Sequence, residues 1–156
     1  MAGFFMLNLN LNNAFVENKV QLICVLIVVL CMMIFKSMSR QSMKYKRIKF
    51  EIIHDLRFME DVYLFKLDLN KNIEKYKTAA KTFEEEAERL NTFAENLSES
   101  SFLTMGVPDR EKLFSAADDL MLLSGYTQKV VDNMDKTVDY SEENKEIVDR
   151  IRKNID

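Results

Sequence analysis

Fourteen residues from Leu22 to Phe35 read LICVLIVVLCMMIF, an unbroken apolar run. Lys36, Arg40, Lys44, Lys46, Arg47 and Lys49 follow before the next acid, Glu51. A run of this kind needs either a protein core around it or a lipid bilayer. As a helix it rises about 21 Å, short of the roughly 30 Å hydrocarbon core. Val20 and Gln21 extend it on one side and Ser37 to Ser39 on the other. Lys19, Lys36 and Arg40 have stems long enough to carry their charges out to the head groups. Its apolar residues run all round the helix, whereas the core helix of a small soluble protein keeps a polar face. A cleaved signal peptide fits poorly, because the positive charge follows the run and no small-x-small site closes it.

The reading is therefore a single transmembrane helix over 20–39, after a short extracytoplasmic tail over 1–19. Basic residues remain on the cytoplasmic side, so the N-terminus is expected outside and everything from Lys36 onward in the cytoplasm, at a plasma or bacterial inner membrane. The six basic residues form a juxtamembrane segment over 40–50 with Lys36 before it, expected to meet anionic lipid head groups as well as to set topology. From Glu51 onward, 15 basic residues face 24 acidic ones, a net of −9. An acidic body has no basic patch for nucleic acid, so that class is excluded. In the tail, Leu7-Asn8-Leu9-Asn10-Leu11-Asn12 alternates with period two. That suits a lone strand only if another chain supplies a partner, and otherwise reads as a polar tail.

The body is expected to be all-α. Three Gly and one Pro in 156 residues leave few turns. A 3-4 apolar alternation runs through Ile73, Tyr76, Ala80, Phe83, Ala87, Leu90, Ala94 and Leu97. It extends backward through Leu69, Val62, Met59, Ile52, Ile48 and Tyr45, with Lys66 and Asp55 as polar exceptions. This predicts one long helix over 45–97. Alanines at successive positions invite close approach by a second helix. A loop over 98–107 follows, and Pro108 opens a second helix over 108–156. Its stripe holds Leu113, Ala116, Leu120, Leu123, Val130, Met134, Val148, Ile151 and Ile155. Thr127, Thr137, Ser141 and Asn144 interrupt it, which predicts a kink near Gly125 or Ser141. A short loop forces the two helices antiparallel into a long hairpin. Two helices bury little, so a second hairpin is expected to complete a four-helix bundle by self-association.

Chemistry is sparse. The one histidine, His54, forms Glu-x-x-His with Glu51, but a di-metal bundle needs a second such pair and further carboxylates. Glu84-Glu85-Glu86 and Glu142-Glu143 read as solvated faces, since adjacent acids on a helix diverge. Cys24 and Cys31 lie inside the apolar run and read as small packing residues rather than nucleophiles or metal ligands. No phosphate-binding, nucleophile-elbow or zinc-protease motif occurs. Neither catalysis, nor a cofactor, nor a small-molecule substrate is expected. Asn96-Leu97-Ser98 matches the glycosylation sequon, but a cytoplasmic body never meets the machinery. The functional expectation is a single-pass scaffold, or a small subunit of a larger membrane complex, that presents its helices to partner proteins. A signal-relay stalk and a small membrane-perturbing protein are the other two readings.

Overall fold

The computed structural model describes residues 2–97, 106–133 and 139–156, with side chains from residue 19 onward. Five helices form: α1 Ala2–Phe58, α2 Glu60–Tyr63, α3 Leu69–Glu95, α4 Arg110–Asp132 and α5 Ser141–Ile155. No strand occurs among the described residues. The chain divides into two compact units, Met1–Arg40 and Gln41–Asp156, and α1 contributes to both. The first unit is helix throughout its described part, including the backbone of the Leu/Asn-alternating tail. Its large apolar side chains from Val20 to Phe35 are exposed apart from the half-buried Ile34, and none of its apolar stretch is buried against protein.

The second unit holds the core. The helix expected over 45–97 is two helices separated by a short irregular stretch that carries α2. Nothing in that stretch is Gly or Pro, yet the backbone turns. Phe65 takes a left-handed φ of 51°. Asp68 then accepts a hydrogen bond from Asn70 N at 3.1 Å and caps α3. The polar exception at Lys66 thus lies at a chain reversal, not in a helix whose stripe shifts. The helix expected over 108–156 is likewise two, α4 and α5. Asp139 accepts from Ser141 N at 2.9 Å at the start of α5. No break occurs at Gly125, where α4 runs on. Ser124 donates its hydroxyl to the Ala80 carbonyl at 2.7 Å and ties that turn to α3. Gly106, at φ 80°, sits where a left-handed turn leads toward α4.

With each arm of the hairpin folded back once, four antiparallel helices close on one another within a single chain. On the α1–α3 side, Tyr45 stacks on Phe93 with ring centroids 5.8 Å apart, and Tyr63 of α2 meets Phe83. Between α3 and α4, Arg110 donates to the Ala94 carbonyl at 2.8 Å, two helical turns or more from the Ser124–Ala80 bond. Between α4 and α5, Arg150 pairs with Asp119 at 2.6 Å and Asn154 reaches Ser115 at 3.2 Å. Lys49 pairs with Asp156 at 2.6 Å, and Asn144 donates to the Tyr63 carbonyl at 2.8 Å, which returns α5 to α1 and α2. Each pairing runs head to tail. The four-helix bundle that the sequence suggested would come from two copies is completed here by one.

Ala79, Ala80, Ala87 and Ala94 on α3, with Ala116 and Ala117 on α4, are buried, and these two helices pack along one another. Small side chains there allow close packing, while Phe83, Leu90, Leu113, Leu120 and Leu123 fill the space between.

Candidate functional site

The six basic residues singled out from the sequence divide into two groups. Lys36, Arg40, Lys44 and Lys46 are exposed and make no ion pair among the described residues. Arg47 is exposed but bonds Glu51 at 3.0 Å, and Lys49 is turned toward Asp156. Four of the six therefore carry an exposed charge with no ion pair among the described residues.

Of the residues assigned to helix packing, Tyr76, Ala80, Phe83, Ala87, Leu90, Ala94, Leu97, Leu113, Leu120 and Leu123 are buried in the core. Ile73 is half-buried. Val130 is also half-buried, and its neighbour Val131 takes the core position instead. Met134 lies outside the described residues. The shift has a cause one turn earlier. Thr127 is fully buried because its hydroxyl donates to the Leu123 carbonyl at 2.8 Å, so the face continues through a polar residue to Val131. Asn144, another expected interruption, is also fully buried and spends its amide on Tyr63.

A charged cluster lies where α1 meets α3. Arg89 binds Glu51 through one guanidinium nitrogen and Glu86 through the other. Glu86 is 5% exposed, and its Oε2 has no hydrogen-bond partner. Burial holds its carboxyl above the ordinary range, against the pull of Arg89. Hydrogen bonds from Arg89 and Arg47 hold Glu51 below it. The cluster clamps two helices together. It does not juxtapose a nucleophile with a base, and no group of three or more His, Cys, Asp or Glu among the described residues is placed to hold a metal ion. The Glu-x-x-His pair is split. Glu51 turns to Arg89, while His54 sits in the open with Nδ1 3.1 Å from Asp55.

His54 belongs to a different feature. Phe50, His54 and Phe58 form a stacked row on the outer face of α1, with centroid separations of 6.4 and 6.3 Å. Phe50 is 69% exposed and Phe58 67%. Lys75 lies 5.9 Å over the Phe58 ring. Shallow hollows flank the row, one lined by Ile53 and Arg57, the other by Glu51, Asp55 and Arg89. The core stripe passes through Ile48 and Ile52 and leaves Phe50 and Phe58 off it. The i, i+4, i+8 spacing of Phe50, His54 and Phe58 on the wrong face was the signal that reading one stripe per helix missed.

No family model matches the chain, and no curated protein or solved structure matches it significantly.

Proposed function

We propose that this protein is a single-pass membrane-anchored scaffold, or a small non-catalytic subunit of a membrane complex, that presents a cytoplasmic four-helix bundle to partner proteins. The observation that carries this reading is the exposure of the apolar stretch. Among the described residues one helix, near the N-terminus, is long and apolar enough to cross a membrane, and its apolar stretch is not buried against protein. The bundle core closes without it. A soluble protein has no use for an uncovered apolar helix of that kind, and a bilayer covers it.

The basic residues after the stretch favour an outside N-terminus and a cytoplasmic bundle. Lys36, Arg40, Lys44 and Lys46 are the head-group contacts in this reading. Partner proteins meet the outer surface of the bundle. Its core does not need a second copy, so any homo-oligomer forms through outer faces or through the membrane helix. Alkaline carbonate extraction tests the anchor: the full chain stays with the membrane pellet, and release into the supernatant overturns the proposal. A cysteine in place of Asp156 tests the topology. A membrane-impermeant maleimide leaves it unlabelled in intact cells and labels it after lysis; labelling in intact cells reverses the orientation.

A further inference from the structure

We propose that the groove along the α1–α3 seam is a binding site for the head group of one phosphatidylethanolamine molecule. This rests on the membrane reading above and names the lipid that Lys44 meets. The groove has a volume of about 580 Å³ and is floored by the half-buried Ile48 of α1 and Phe93 of α3. Lys44 stands on its α1 wall and Glu88 on its α3 wall, both exposed. Neither makes an ion pair among the described residues. Arg89 also lines the groove, but Glu51 and Glu86 already hold its guanidinium. An ammonium and a carboxylate thus share one groove, each without a partner among the described residues.

The order of these charges selects the occupant. Tyr45 stacks on Phe93, which fixes the level at which α1 passes α3. The two helices run antiparallel, so Lys44 lies one residue before that level and Glu88 five residues beyond it, about 9 Å further into the bundle. The hydroxyl of Thr92 lies between them on the α3 wall. In the membrane reading the bundle begins at Gln41, just after the span, so the chain leaving the lipid passes Lys44 first and the level of Glu88 second. A phospholipid presents its groups in the same order, acyl chains, then phosphate, then amine. Lys44 takes the phosphate, with Thr92 as a second donor, and Glu88 accepts from the primary ammonium. Ile48 and Phe93 cover the carbons between. Other head groups leave a charge unanswered. Glycerol offers Glu88 no cation, choline offers it no N–H, and serine adds a carboxylate that the groove has no spare cation to receive.

The test is native mass spectrometry of the full chain, purified in detergent and supplied with one dioleoyl phospholipid at a time. The chain is expected to retain one phosphatidylethanolamine, with phosphatidylcholine, phosphatidylglycerol and phosphatidylserine roughly fivefold weaker. Glu88→Gln is expected to bring phosphatidylethanolamine down to the level of phosphatidylcholine, and Lys44→Gln to weaken both. Both positions are exposed, so the unfolding midpoint stays unchanged. Equal retention of the four lipids, a preference for any of the other three, a Glu88→Gln chain that still prefers phosphatidylethanolamine, soluble glycerophosphoethanolamine bound as tightly as the lipid, or no retained lipid each overturn the proposal. Carbonate extraction separates the two readings. A chain that stays in the membrane pellet but retains no phosphatidylethanolamine in detergent keeps its anchor and loses this site. A chain released by carbonate loses the anchor, while retention in detergent still decides the site.

Discussion

The carboxylate of Glu51 on α1 is bound by the guanidinium of Arg89, which lies 38 residues further along the chain on α3. The same guanidinium holds the nearly buried Glu86 at 2.5 Å. One cation thus serves two acids in different environments, and the two respond to acid in opposite senses. Glu51 has its carboxyl lowered, so its stabilisation is present above the ordinary glutamate range and is lost as pH falls through its folded value. Glu86 has its carboxyl raised, so its contribution is fully present below the ordinary range and is lost as pH rises through its folded value. Replacing Glu86 by Gln removes only the second. As pH falls from neutral toward about 4.3, the full chain in detergent gains stability relative to Glu86→Gln. Denaturant melts across that interval measure the difference, and parallel curves would show that burial does not govern Glu86.

Arg89 itself is the exposed member of the trio, at 45%. Arg89→Met leaves Glu86 buried without its cation. The expected cost is about 1–2 kcal/mol, below that of a fully buried pair because solvent screens the guanidinium. Adding Glu86→Leu to Arg89→Met removes the stranded acid and restores most of the loss. A double mutant no more stable than Arg89→Met would contradict that account.

At the other side of α1, Tyr45 is buried and donates its hydroxyl to the Ile155 carbonyl in the last turn of α5. That carbonyl is one of the acceptors a helix leaves without an internal partner at its C-terminus. Tyr45→Phe keeps the stack on Phe93 and strands the acceptor, at an expected cost of about 1–3 kcal/mol. Faster amide exchange in the last turn of α5 checks the mechanism, since a loss spread evenly over the bundle would not.

The heptad alternation made the helices and most of the core legible, because Tyr76, Phe83, Leu90, Leu113 and Leu120 recur at the helical period. The chain reversals were hidden. Met59 to Asp68 contain no Gly or Pro, and the apolar residues Val62, Tyr63 and Leu64 keep the alternation going across the turn. What turns the chain is the left-handed backbone at Phe65 and a cap at Asp68, neither of which periodicity registers. Asp68→Ala is accordingly expected to cost about 1 kcal/mol, and Asp68→Ser, which also accepts from the α3 N-terminus, much less. Equal losses in thermal melts would mean that the cap is unimportant. The aromatic row was hidden for another reason. Phe50 and Phe58 fall off the single apolar stripe traced through Ile48 and Ile52, and the packing of Ile52 and Leu56 into the core shows that the phenylalanines point elsewhere.

The phase of α4 gives the sharpest comparison between periodicity and packing. Strict spacing selects Val130, but the buried residue is Val131, 7% exposed. Thr127 permits the shift by returning its hydroxyl to the Leu123 carbonyl. Val131→Ala is expected to cost about 2 kcal/mol, from two buried methyl groups and the space they leave. Val130→Ala should cost well under half of that, since its side chain is already partly in water. Thr127→Val replaces a hydroxyl whose acceptor already receives a helical hydrogen bond, so it leaves no group stranded and stays close to neutral. Urea midpoints for the three variants order them with Val131→Ala lowest. If Val130→Ala were instead the lowest, α4 would be rotated from the face described here, and Thr127 would point away from the core.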